Sequence, residues 1–414
     1  MAVTPDDVGK RRGWVAWLEK RFPLRELIES QLTHYYPPKN LNFWYYFGAI
    51  ALVVLASQFA TGIVLAMFYK PGEATAFDSV EYIMREVPWG WLMRYVHSVG
   101  ASAFFVVVYL HMFRALMYGS YQRPRELLWI LGMLVYLAMM AEAFMGYVLP
   151  WGNMSYWGAQ VIVNLFGTVP AIGPGLVELI RGDYGIADPT LGRFFSLHVV
   201  AVPLVLVLLV TLHLVALRTT GSGNPDGVEI KDKLAADGKP LDGVAFHPYY
   251  IVKDLLSVAA FLVAFAAVVF FVPTFGGLFL EPDNFEQANP VSTPEHIAPV
   301  WYFTPYYAIL RAVPDQRLGA LLMLLAVLSF MFLPWLDRSP VRSIRYKGWL
   351  SRVFLAMFAV SFFALGYLGL KPAEGTYVWL ARFFAVVYFA YFWLMPIYSR
   401  IERAKTPPER LTYP

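Results

Sequence analysis

The 414 residues are 58% hydrophobic and only 15% charged, against the roughly one-quarter charged share of a soluble globular domain, so lipid is the expected solvent. The chain has no cysteine, which excludes disulfides, covalent CxxCH haem attachment and thiolate-held iron-sulfur clusters, and leaves His, Met and carboxylates as ligands for any redox metal. The net charge of +4 suggests no nucleic-acid partner, and in a membrane the sidedness of Lys and Arg matters more than their sum.

Residues 1–40 carry Lys10, Arg11, Arg12, Lys20, Arg21 and Arg25 with no apolar run before Leu41. This is unlike a cleaved signal peptide and predicts a retained amphipathic surface segment. Apolar runs of about 20 residues, the length that crosses the hydrocarbon layer, lie near 42–68, 94–118, 126–148, 192–217, 250–272, 317–336, 349–370 and 377–398. The expected fold is an all-α integral membrane protein of eight transmembrane helices with both termini on one side. The connection with Arg114, Arg123 and Arg125, that with Arg338, Arg342, Arg345 and Lys347, and the tail with Arg400, Arg403 and Lys405 share that side, which the excess of basic residues marks as cytoplasmic. The opposite face holds Glu281, Asp283, Glu286 and Glu295, and carries two long connections, 149–191 and 273–316, rich in Gly, Pro and aromatic residues. Loops of that length in a compact protein are usually functional. The polar stretch 218–248 divides the chain into an N-terminal four-helix bundle, 1–230, and a C-terminal four-helix region, 231–414.

Of seven histidines, four fall inside spans two and four, where an ionisable residue is a functional hypothesis by default. His97 and His111 are 14 residues apart, and His198 and His213 are 15 apart. At about 100° per residue these separations bring each pair to within about 40° and 60° of one helix face, with a rise of roughly 21–22 Å. Spans two and four run in the same direction, so His97 pairs with His198 near the outer face and His111 with His213 near the cytoplasm. Two such pairs suit two non-covalent b-type haems, each with an imidazole on both sides of the iron, a ligation that fits electron transfer. Polar helix packing or a proton relay is the competing reading of any one histidine; four in register across parallel spans argue for ligands. His34, His247 and His296 lie in flanks or loops and read as solvated or locally hydrogen-bonded.

Gly48 and Gly62 in span one, and Gly132 and Gly146 in span three, repeat the 14-residue period. A flat macrocycle needs close backbone approach, which a residue without Cβ allows, although small residues also serve helix packing in membranes. Arg94 and Arg193 sit just outward of His97 and His198, and Arg114 lies one turn past His111. Each is a candidate partner for haem propionates, with snorkelling at a span end as the alternative.

The stretches AFMGYVLPWGNMSYWGAQVI (143–162), LGRFFSLH (191–198), GSGNP (221–225), HPYYIVKD (247–254) and PEHIAPVWYFTPYYAILRAVP (294–314) resemble the cytochrome b subunit of ubiquinol:cytochrome c oxidoreductase, respiratory complex III, of the bacterial type. The resemblance runs from about residue 30 to 400 and is specific, because long motifs recur in order. It implies an inner-membrane protein that oxidises ubiquinol at an outer site, passes electrons through the two haems to a quinone site near the cytoplasm, and contributes to the proton gradient by a Q cycle. The implied partners are cytochrome c1, a Rieske iron-sulfur protein, membrane lipid and a second copy in a homodimeric complex.

By the same resemblance the outer pocket would use Tyr147, Gly158, Pro299, Trp301 and Tyr302. The family's PEWY tetrapeptide is PVWY here, with Val300 where a carboxylate would accept a quinol proton; Glu295, five positions earlier, is the expected substitute. The inner site would use Ser222, Lys253 and Asp254. Five residues past His213 stands Arg218 where respiratory relatives commonly have His; an arginine does not release its proton near neutral pH, which leaves Asp254 as the expected proton donor and Arg218 as a quinone-carbonyl partner. The 15-residue gap between His198 and His213 is similar to that of the plastoquinol relatives, but those divide the polypeptide after span four. Two rival readings are a dihaem anchor of a formate dehydrogenase or hydrogenase, which lacks the 294–314 motif, and a transporter with a histidine proton relay.

Overall fold

A computed structural model describes residues 14–22, 29 and 34–412; of the N-terminal basic segment, Lys10, Arg11, Arg12 and Arg25 lie outside the described residues. Helix α1, Trp14–Glu19, exposes Trp14 and Trp17, a surface placement in keeping with an amphipathic segment.

Among the described residues eight helices are long and apolar enough to cross a membrane, and no strand forms beyond isolated bridges. In chain order come α2 (Phe43–Ala66), the short α3 (Ala76–Arg85), α4 (Gly90–Tyr118) and α5 (Glu126–Val148). The connection that follows is not structureless: it folds into α6 (Asn153–Phe166) and α7 (Gly173–Arg181). Then come α8 (Asp188–Thr220) and α9 (Phe246–Phe271). The second long connection ends in α10 (Thr304–Arg311), followed by α11 (Gln316–Leu336), α12 (Trp349–Gly369), α13 (Gly375–Trp393) and α14 (Met395–Ile401). Helices satisfy their backbone groups internally, the condition for spanning hydrocarbon. Side chains such as Leu204, Leu208, Val263 and Phe363 project outward, as lipid-facing surfaces do.

Helix α2 packs on α4 and α5 on α8, while α9 closes against α2 and α4. Farther along the chain, α12 packs on α10 and α13. One apolar core runs from Phe105, Met133 and Tyr136 of the first spans into Tyr302, Tyr306, Phe330 and Phe358 of the later ones. Its phenols satisfy one another: Tyr136 Oη lies 2.9 Å from Tyr306 Oη and 3.2 Å from Tyr109 Oη.

Helix α8 contains a π-turn over Leu197–Ala201, closed by Val202 N–H on the Leu197 carbonyl. Pro203 follows, and without an N–H it cannot continue the α ladder at that point. A π-turn takes in one residue more than an α-turn. The 15-residue step from His198 to His213 is thereby brought back toward the register of the 14-residue step in α4.

The segments flanking the first and last spans meet on one face. Asp242 binds Lys39 Nζ at 2.9 Å and Arg410 Nε at 2.8 Å, and Asp226 accepts from Asn40 Nδ2 and Thr412 N–H, each at 2.9 Å. An even number of crossings requires this common face.

Candidate functional site

The four intramembrane histidines meet in the expected pairs. The ring centres of His97 and His198 are 6.2 Å apart with planes at 86°, and those of His111 and His213 are 6.4 Å apart at 65°. Nitrogen–metal bonds of about 2 Å on either side, with about 1.1 Å from each nitrogen to its ring centre, give roughly 6 Å between centres. Each pair therefore has room for one metal ion between the two rings. Among the described residues no three His, Cys, Asp or Glu side chains gather to hold a bare ion. Two protein ligands per centre suit an iron whose remaining positions belong to a porphyrin.

Hydrogen bonding fixes the outer tautomers. His198 Nδ1 lies 2.9 Å from the Glu142 carbonyl and 3.0 Å from Glu142 Oε1, both acceptors, so Nδ1 carries the hydrogen and Nε2 keeps its lone pair. Thr61 Oγ1 donates to the Ser57 carbonyl at 2.7 Å and hence accepts from His97 Nδ1 at 2.9 Å. At the inner pair, His111 Nδ1 has no hydrogen-bond partner among the described residues, and His213 has the Leu128 backbone beside it.

Each period-14 glycine serves one histidine. A Cβ on Gly48 would stand 3.3 Å from His111 Cε1, on Gly62 3.2 Å from His97 Cε1, on Gly132 3.1 Å from His213 Cε1, and on Gly146 2.4 Å from His198 Cε1. The structure seats the four imidazoles against these glycines. The missing side chains let α2 and α5 approach the histidine-bearing helices.

A cavity of about 270 Å3 opens between His97 and His198 and is lined by Gly62, Arg94, Glu142, Gly146, Tyr147, Val300 and Tyr302. Arg94 is thus on the wall of the outer site. Arg114 is buried near the inner pair, its Nη2 donating to the Gly223 carbonyl at 2.7 Å and its Nε without a partner. Arg193 departs from expectation. It is exposed, its guanidinium donates to the Leu179 carbonyl between α7 and α8, and it does not line the cavity.

The second long connection brings Val300 and Tyr302 to the cavity, with Tyr302 stacked on Phe105 at 3.8 Å and its carbonyl accepting from Tyr109 Oη at 2.6 Å. Trp301 Nε1 donates to Ser102 Oγ at 3.1 Å. Gly158 is buried beside Tyr147, where a Cβ would stand 3.7 Å from Tyr147 Cε1, and Pro299 is half-buried before the PVWY turn. Glu295 is exposed and absent from the cavity wall. Glu142 is the acid on the cavity wall itself, while Glu281, behind the wall, reaches it through Tyr147, whose Oη donates to Glu281 Oε2 at 3.1 Å. Burial pushes the Glu281 carboxyl up to about 7, opposed by hydrogen bonds from its own backbone and from Tyr147. Residue spacing gave no means of choosing Glu281 over the three other acids of the 281–295 stretch.

At the other end, Arg218 lies over the Tyr35 ring at 4.0 Å and the Phe246 ring at 5.0 Å, with Nη1 buried and unpartnered. Ser222 is buried, its Oγ 3.2 Å from Tyr35 Oη, and Asp254 Oδ1 is buried without a partner. Lys253 turns aside to Tyr249 Oη at 2.8 Å. His34 and His247 are exposed, while His296 Nε2 meets the Leu370 carbonyl at 3.1 Å.

Comparison with known proteins agrees with this architecture. The family model "Cytochrome b/b6/petB" matches residues 32–221, and "Cytochrome b(C-terminal)/b6/petD" matches residues 287–389. Cytochrome b of Allochromatium vinosum is 57% identical over 406 residues, covering 96% of this chain and 98% of that protein. The cytochrome b/c1 of Bradyrhizobium diazoefficiens is 46% identical over 99% of this chain, which spans 58% of that longer protein. A solved structure described as a hyperthermophilic respiratory Complex III has a chain that superposes with a TM-score of 0.87 at 41% identity, covering 94% of this chain and 99% of that one. With this identity sustained along its length, the chain belongs to the cytochrome b family.

Proposed function

We propose that the chain is the electron-transferring membrane subunit of a quinol:cytochrome c oxidoreductase of the respiratory complex III type, working by a Q cycle in a bacterial inner membrane with both termini cytoplasmic. The observation that carries this reading is the pair of two-histidine centres stacked across one helical bundle, each with imidazoles 6.2 or 6.4 Å apart. His97 with His198, and His111 with His213, would hold two b-type haems, with Arg94 and Arg114 as the cations nearest them. When bound, the haems supply one-electron transfer between an outer quinol-oxidising site and an inner quinone-reducing site.

The chain's own residues supply binding and proton handling. At the outer site Tyr147, Val300 and Tyr302 wall the pocket, and Glu281 takes the role first assigned to Glu295. Near neutral pH its carboxyl stands close to half-ionised, the condition for an efficient proton acceptor. Tyr147, by donating to Oε2, holds that carboxyl in place. At the inner site the unpartnered Arg218 Nη1 would donate to a quinone carbonyl, and Asp254 would deliver the proton, with Ser222 beside them.

Cytochrome c1 and a Rieske protein are the proposed electron acceptors from the outer site, in a homodimeric complex. The fused name of the Bradyrhizobium relative, cytochrome b/c1, supports the first of these. A dihaem anchor of another dehydrogenase would give the histidine pairs without the PVWY pocket, and a proton relay would give neither haem. A reduced-minus-oxidised spectrum of the purified protein tests the reading: two bis-imidazole b haems that quinol reduces are expected, and their absence would end it.

A further inference from the structure

The outer histidine pair is supported unequally. His97 donates to a neutral hydroxyl, that of Thr61. His198 is held by Glu142 twice, through the backbone carbonyl at 2.9 Å and through Oε1 at 3.0 Å. Glu142 sits inside α5 with a side chain 19% exposed, lines the cavity, and has its other oxygen, Oε2, buried without a partner among the described residues. A carboxylate placed this deep in a membrane helix is costly and calls for a function. The inner ligands have no such carboxylate: His111 Nδ1 is unpartnered among the described residues, and beside His213 stands the Leu128 backbone.

We infer that Glu142 is a positioning and tuning residue for the outer electron-transfer centre, its carboxylate accepting from His198 Nδ1–H and lowering the reduction potential of the outer haem relative to the inner one. The inference rests on the bis-histidine reading of the two centres. An acceptor on the far nitrogen fixes ring orientation and makes the ligand nitrogen a stronger base, which favours the more positive metal. A fixed negative charge in low dielectric acts in the same direction, because adding one electron to the iron removes one positive charge that the carboxylate stabilises. The carboxylate falls on the outer centre alone. It gives the electron a downhill step from the outer histidine pair toward the inner one.

The test is an optical redox titration of the whole complex in its membrane, with the native protein, Glu142→Gln, Glu142→Asp and Thr61→Val compared. In Glu142→Gln the outer potential is expected to rise by a tenfold change in its reduction equilibrium or more, 59 mV for a one-electron couple, while the inner potential stays in place. Glu142→Asp, which keeps the charge, is expected to lie nearer the native value, and Thr61→Val to shift less than Glu142→Gln. An order of outer potentials that follows charge, Gln above Asp, with both haems retained is a readout that helix packing alone would not produce. An unmoved outer potential in Glu142→Gln with both haems present would overturn the inference, as would loss of the outer haem in both Gln and Asp variants. Native protein lacking two bis-histidine haems would instead overturn the underlying reading.

Discussion

The hydroxyl of Tyr147, at the end of span three, donates at 3.1 Å to Glu281, a residue of the second long connection. The contact sets a carboxylate behind Tyr147, a wall residue of the pocket that also holds Val300, where the family motif would carry its acid. Because burial raises Glu281 to about 7, the charged, proton-accepting form grows as pH rises through that value. Quinol oxidation by the native protein should therefore climb across neutral pH. Glu281→Gln should slow oxidation by about 100-fold, the lower end of what one acid–base group contributes, and should flatten that limb. Glu295→Gln should leave both rate and profile in place; steady-state rates between pH 5.5 and 9 check all three.

Gly146 admits no side chain, since a Cβ would stand 2.4 Å from His198 Cε1, whereas at Gly48 the corresponding distance to His111 Cε1 is 3.3 Å. A contact of the first kind forces the imidazole or the helix to move, and one of the second asks for a few tenths of an ångström. Gly146→Ala is expected to lose the outer haem, and Gly48→Ala to retain both. Haem-to-protein ratio and the α-band spectrum distinguish the two outcomes, and equal retention in both variants would show that α5 has room to yield.

The spans, the four histidines inside them and their pairing were legible because lipid imposes an apolar length and a helix imposes a period, both of which lie along the chain. The π-turn at Leu197–Ala201, which accommodates the 15-residue spacing of His198 and His213, leaves no mark in a residue count. What the sequence could not tell was where connections fold. Choosing Glu281 over Glu295, and sending Arg193 to the Leu179 carbonyl, depend on how the 149–191 and 273–316 segments turn. Glu142 stands in the sequence as an acid inside span three, but its contact with His198 depends on how α5 packs on α8.

Arg218 is gripped between Tyr35 and Phe246 with Nη1 unpartnered, and Asp254 Oδ1 is likewise unpartnered. Buried polar atoms left unpaired are costly and point to an absent partner. Arg218→Leu is expected to weaken quinone binding at this end about 10-fold or more, the scale of one charge-assisted hydrogen bond. Asp254→Asn should retain binding yet slow quinone reduction. Reoxidation of the inner haem by added quinone, followed with the outer site blocked by an inhibitor, measures both; unchanged kinetics in Asp254→Asn would remove Asp254 from proton delivery.

Asp242 ties the chain's two ends to one connection. It binds Lys39 Nζ at 2.9 Å and Arg410 Nε at 2.8 Å and accepts from Leu411 N–H at 3.1 Å. The Arg410 hydrogen bonds hold its carboxyl well below the usual carboxylate range, with the Lys39 bond acting the same way. A depressed carboxyl contributes its stability in full above the unfolded value, near pH 4, and loses it as pH falls through the lower folded value. The clamp should therefore be at full strength at neutral pH and weaken only in strong acid. Asp242→Asn removes the charge at every pH and leaves two cations with a neutral acceptor, at a cost of about 1–3 kcal/mol. Hydrogen exchange in residues 405–412 should accelerate in that variant at pH 7, and the native protein should approach it only below about pH 4. Exchange equally slow in both would mean that Asp226, through Thr412, holds the tail without help from Asp242.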